Sequence, residues 1–166
     1  MIEKDVPLAD LSASLTHVLD QWRELDGEHL GCAWTGFHLE EMPPELLPTT
    51  LVVDVHDDMS RNTFRFWGTG MYHIHGGDMT GKTVGELMPP EFRDAVLRSH
   101  AKIVAEPRAY VSEYGFERHG GFDHLQTALR LPLSDDGQSV NHIIVVIEWT
   151  STARHIKSRR HANSLF

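Results

Sequence analysis

The residues of this 166-residue chain that point most directly to a reaction lie between Gly76 and Thr83. The run Gly76-Gly77-Asp78-Met79-Thr80-Gly81-Lys82-Thr83 satisfies G-x-x-x-x-G-K-[ST]. In that spacing, backbone N–H groups and a lysine cradle nucleotide phosphates while a hydroxyl reaches Mg²⁺. The reading would make the protein a P-loop nucleotide-binding enzyme acting through Lys82 and Thr83. The chemistry also needs a buried strand running directly into the loop and a long helix leaving it. Here the preceding apolar strand ends near Trp67, and Pro89-Pro90 stops any following helix early. Nucleotide binding is therefore kept as the alternative reading.

Histidine is the other unusual resource, with 12 in the chain. His73-Ile74-His75 would turn both rings to one side only in an extended segment; on a helix they point apart, so no two-ligand metal site is expected there. His56-Asp57-Asp58 and Asp123-His124 read as turn chemistry, with side chains bonded to local backbone. Cys32 is the single cysteine, which rules out an internal disulfide framework and a multi-thiolate zinc site and fits a reducing cytosol. No G-x-S-x-G elbow is present to anchor Ser-His-Asp catalysis. Neither a catalytic residue nor a metal site is expected.

The formal charge of −9 is unevenly spread, because four of the 15 basic residues (Arg154, Lys157, Arg159, Arg160) follow Trp149 and no acid does. A body this acidic repels nucleic acid, so none is expected as a partner. The longest apolar run, Ile143 to Ile147, is the size of a strand, and no membrane span is expected. The opening residues lack the basic-then-apolar pattern of a secretory signal, so the expected location is the cytoplasm.

The elements that would position these groups can be read from periodicity. Leu8, Leu11, Leu15, Val18, Trp22 and Leu25 are spaced by three and four, forming the apolar face of an amphipathic helix that ends near Gly27. Residues 28–48 read as a connection, with at most a helical turn at Glu45 to Leu47. Leu51 to Val55 and Thr63 to Trp67 alternate as strands around a polar turn. Glycines break residues 68–90 into short turns. Pro90 then opens a longer helix that runs to Pro107. Three strands follow: Ala109 to Arg118, Leu125 to Leu131, and Val140 to Trp149, the last apolar enough to be central. Tight connections make the strands antiparallel. The predicted fold is an α+β domain, an antiparallel five-stranded sheet with helices on one face, plus the N-terminal amphipathic helix.

That layout resembles a PAS domain, in which a five-stranded antiparallel sheet cups a small pocket beneath short helices and one longer helix. The resemblance is carried by Phe64-Arg65-Phe66-Trp67-Gly68-Thr69-Gly70, by Gly77-Asp78-Met79-Thr80-Gly81-Lys82-Thr83-Val84-Gly85-Glu86-Leu87 and by Pro90-Glu91-Phe92-Arg93. Upstream, Trp22 and Met42-Pro43-Pro44-Glu45-Leu46-Leu47-Pro48 are similar to small stand-alone bacterial PAS proteins. It divides the chain into an N-terminal helix and connection (1–41), a PAS-like domain (42–150) and a basic tail (151–166).

The resemblance implies a non-enzymatic sensor or signalling module that binds a small molecule, a partner protein or both. In haem-binding members the family's ligand position falls on Val96, one turn from His100, which argues against haem; the flavin-adduct cysteine has no counterpart in 68–90. The cofactor is left unknown. Phe64, Phe66, Val96, His100 and Ile144 are the expected pocket residues, a filled core being equally compatible with them, and Arg130, Trp67 and Trp149 are candidates for the outer sheet face. Leu11, Leu15, Val18 and Trp22 present an apolar area too large to leave in water, so they are expected to help form a homodimer interface.

Overall fold

The central strands of this chain carry apolar residues on both faces, and the sheet they build is covered on both sides. The computed structural model describes residues 2–25, 30–118 and 122–149. Its six strands are β1 (Ile2–Asp5), β2 (Thr50–Asp54), β3 (Thr63–Trp67), β4 (Tyr110–Arg118), β5 (Phe122–Leu133) and β6 (His142–Trp149). They form one antiparallel sheet in the order β1-β4-β5-β6-β2-β3. The helices are α1 (Ala13–Glu24), α2 (Tyr72–His75) and α3 (Pro90–Ala105), joined by several single 3₁₀ turns. The α+β class read from the sequence holds, and β6 is central, between β5 and β2.

Two corrections concern the count and the covering. The sheet has six strands rather than five, because Ile2-Glu3-Lys4-Asp5 pairs along β4 from Gly115 to Ser112. Four residues of which three in succession are charged, Glu3, Lys4 and Asp5, carry too little apolar signal to announce a strand; the neighbouring edge supplies the pairing. Helices also lie on both faces. On one, α3 and the turns before it bury Leu51, Val53, Phe64, Trp67, Val145 and Ile147. On the other, α1 and the 34–47 segment bury Val52, Leu129, Leu131, Leu133, Ile144 and Val146.

The N-terminal helix is shorter than its periodicity suggests. Leu8–Asp10 is a separate 3₁₀ turn and Leu11 is extended. The helix begins after Ser12, whose Oγ accepts from the Leu15 N–H at 3.2 Å and whose hydroxyl donates to Glu148 Oε1 at 2.9 Å. Leu15, Val18, Leu19 and Trp22 then pack on the sheet, and the Trp22 indole N–H donates to the Pro132 carbonyl at 2.8 Å. Gly31, at φ +74°, passes so close to that hydrogen bond that a Cβ would overlap both partners.

A bulge shapes the opposite edge. Val52 pairs with Phe66 but Val53 pairs with Phe64, so Arg65 is the extra residue. Its guanidinium turns outward to Asp54 at 2.7 Å.

Candidate functional site

On β5, alternation places Gln126, Ala128 and Arg130 on the face covered by α3, beside Tyr110, Ser112 and Tyr114 of β4. Arg130 is 3% exposed. Its Nη1 donates to Ser112 Oγ at 2.9 Å and to the Ala128 carbonyl at 3.4 Å, and its Nη2 donates to the Tyr114 hydroxyl at 2.8 Å. The guanidinium carbon lies 5.2 Å from the centre of the Tyr114 ring, and Ser99 Oγ of α3 sits 2.9 Å from the Tyr114 oxygen. Every one of these partners is neutral. The Arg130 Nε–H has no protein acceptor, and among the described residues no carboxylate forms an ion pair with the guanidinium. A buried cation in this condition is costly, so something in the architecture must account for it.

Space adjoins Arg130 on two sides. Toward α3 and β3 is an interior cavity of about 30 Å³, lined by Phe64, Trp67, His75, Phe92, Val96 and His100 among others; that is room for a water or two. The Trp67 indole N–H and the Gln126 side-chain Oε1 also lack protein partners there. Toward β1 is a cleft of about 300 Å³, lined by Glu3, Asp5, Arg98, Ser99, Lys102, Tyr110, Ser112 and Arg130. Across its rim Arg98 meets Glu3 at 2.9 Å and Lys102 meets Asp5 at 2.7 Å. The two pairs match because residues four apart share a helix face and residues two apart share a strand face.

The two cavity histidines are held neutral. Burial, helped by the Arg130 charge, lowers the His100 pKa to about 3, and burial lowers that of His75 to about 4. Asn62 Oδ1 accepts from the His56 N–H at 2.8 Å, so its amide nitrogen, 3.2 Å from His100 Nδ1, is the donor to that ring. The proton of His100 therefore sits on Nε2. His75 stacks on Phe92 with centroids 5.0 Å apart and meets Trp67 edge-on at 5.2 Å.

Of the residues expected to form a pocket, the structure brings Phe64, Val96 and His100 together around this cavity. Phe66 and Ile144 are not with them; both face the α1 side. For Phe66 the reason is the bulge at Arg65, which breaks simple alternation and puts Trp67 in its place. For Ile144 the reason is that β6 is apolar on both faces, leaving no pattern to say which face is which. Arg130, Trp67 and Trp149 likewise lie on the inner face, not the outer one. Leu15, Val18 and Trp22 are buried within the chain and Leu11 packs beside them, so their apolar area needs no second subunit to cover it.

No protein-family model matches the chain, and no curated protein is significantly similar to it. Its chemistry must be read from the residues themselves. Around Gly76–Thr83, Gly76 ends the single-turn α2, and the element that directly follows the lysine is a single 3₁₀ turn, Val84–Glu86. The Thr83 hydroxyl donates to Glu86 at 3.1 Å, and the Thr83 N–H donates to the same carboxylate at 2.7 Å. Asp78 and Glu86 both act electrostatically with Lys82. The Thr83 hydroxyl and N–H are thus held by Glu86, and the Gly76, Gly81 and Lys82 N–H groups donate to the carbonyls of Tyr72, Phe64 and Met79, so these groups of the phosphate-binding pattern are already engaged. No cluster of three metal-ligating side chains occurs among the described residues, and no described helix is long and apolar enough to cross a membrane. Asp123 and His124 lie in β5 rather than in a turn, and the 151–166 tail falls outside the described residues.

Sequence reasoning missed Arg130, Gln126, Trp67 and His75. Gln126 and Arg130 share a strand face, and two long polar side chains on one face ordinarily mark it as solvated. The available signal was that the next strand carries the unbroken apolar run Ile143 to Ile147, which leaves little solvent for its neighbour.

Proposed function

We propose that this chain is a non-enzymatic, PAS-type sensory module that holds a small molecule between α3 and the sheet and passes the resulting change to a partner protein. The observation that carries the reading is Arg130: a buried guanidinium with neutral partners, an unpartnered Nε–H, and a ligand-sized cleft on one side. Support for the PAS assignment comes from the short turns and long helix between β3 and β4, which lie over one sheet face and enclose a small cavity. A binding role suits the two cavity histidines: rings whose pKa values lie near 3 and 4 make weak bases for proton abstraction at neutral pH. The partner would read α3 and β1, the two elements that frame the cleft.

Native mass spectrometry of freshly purified protein, followed by thermal-shift screening with neutral, cationic and anionic metabolites, tests this. Saturable binding of at least one class, weakened by substitution at Arg130, is the expected result. A chain that carries no small molecule and responds to no class is an adaptor with a filled core, and the sensory reading fails.

A further inference from the structure

We infer that the ligand of the cleft beneath β1 is a small organic acid whose carboxylate is gripped by Arg130. This deepens the sensory-module reading and rests on it. Of the five N–H groups of a guanidinium, three on Arg130 have protein partners, which leaves the Nε–H and one N–H of Nη2. Nε and Nη2 flank one edge of the guanidinium, the arrangement that meets both oxygens of a carboxylate; the Nε atom is closed off from solvent as it stands, so the grip requires the side chain to turn that edge toward the cleft when the acid enters.

Charge selects an anion, and a singly charged one. The cleft is lined by three cations, Arg98, Lys102 and Arg130, and by two carboxylates, Glu3 and Asp5. The rim pairs cancel each other across β1 and α3. One positive charge remains, at the buried end. A carboxylate there converts an unpaired buried cation, the costly state, into a hydrogen-bonded ion pair. A phosphate dianion would bring more charge than the site balances. The hydroxyls of Ser99, Ser112 and Tyr110 give the cleft polar walls, which suit a short, oxygen-bearing body over a long aliphatic one.

The test is calorimetric titration of the intact chain with acetate, lactate, pyruvate and benzoate, each beside its amide, with inorganic phosphate and sulfate as separate arms. The expected result is saturable binding of one or more carboxylates, none of the matching amide, and binding roughly tenfold or more weaker in Arg130→Lys, which keeps the charge but loses the fork. Arg130→Met should abolish binding, with circular dichroism confirming the fold. If that variant fails to fold, Arg130→Lys decides the matter. Equal binding of acid and amide, binding of phosphate or sulfate alone, or no heat from any carboxylate overturns the organic-acid inference. In the first two cases the chain still binds a small molecule, so the sensory reading survives.

Discussion

Acid should unfold this protein through His100, and the size of the effect follows from its burial. The ring is 1% exposed, accepts from Asn62 and lies near the Arg130 charge, which together hold its pKa at about 3. In the unfolded chain a histidine titrates near its ordinary value of about 6.5. Below that pH the unfolded state binds a proton that the native state refuses. The stabilisation is thus complete above about pH 6.5 and is lost as the pH falls toward the native value. Between pH 7 and pH 4.5 the loss from this one ring is about 2–3 kcal/mol, from 1.36 kcal/mol per unit of pKa difference. His100→Asn keeps a hydrogen-bond acceptor for Asn62 and removes the titration. Urea unfolding followed by tryptophan fluorescence at the two pH values, on wild type and variant, isolates the term. Carboxylates and His75 contribute equally to both proteins and cancel in the difference. The variant starts lower at pH 7 because the ring's packing is lost, but it should lose about 2–3 kcal/mol less on acidification. Equal losses in the two proteins would show that His100 is solvated or charged in the native state, and the account of the cavity would be wrong.

Leu15 is fully buried against the sheet, so Leu15→Asp should abolish cooperative unfolding rather than yield a folded monomer, and Leu15→Ala should cost about 2–5 kcal/mol by denaturant titration. A folded Leu15→Asp chain by circular dichroism would mean that α1 does not dock as described. Lys82 is exposed, and Lys82→Ala should change stability by no more than about 0.5 kcal/mol, with no MgATP heat in either protein; binding of MgATP that disappears in the variant would restore the nucleotide reading.

What could be read in advance was whatever local pattern determines. The bounds of β3 and the start of α3 were legible because Thr63 to Trp67 is bracketed by polar and glycine residues and Pro90 fixes a first helical turn. Leu11 looked helical by spacing alone, yet Ser12 competes as a cap and wins, since its oxygen satisfies an N–H that Leu11 cannot. The strand Ile2–Asp5 exists because β4 offers an open edge, which is a tertiary fact. The same limit hid half of the site. Phe64, Val96 and His100 were accessible from spacing, whereas facing in a two-sided sheet depends on which helix arrives on which side. Arg130 was misplaced for that reason, because its unpaired state becomes visible only when the neighbouring strands and α3 are in position.

The bulge at Arg65 also has a genetic consequence. Val52 and Val53 already oppose Phe66 and Phe64, with Arg65 in excess between them. A one-codon deletion inside a strand normally turns every later side chain to the wrong face. At Arg65 it would instead join two residues that already have adjacent partners, straighten the ladder, and leave Phe64 and Trp67 facing the cavity and Phe66 facing α1. The cost would be the ion pair with Asp54, which is partly solvated and of small worth. In β3, chain length and side-chain facing are therefore uncoupled at this codon, and the strand can shorten there without re-sorting its two faces.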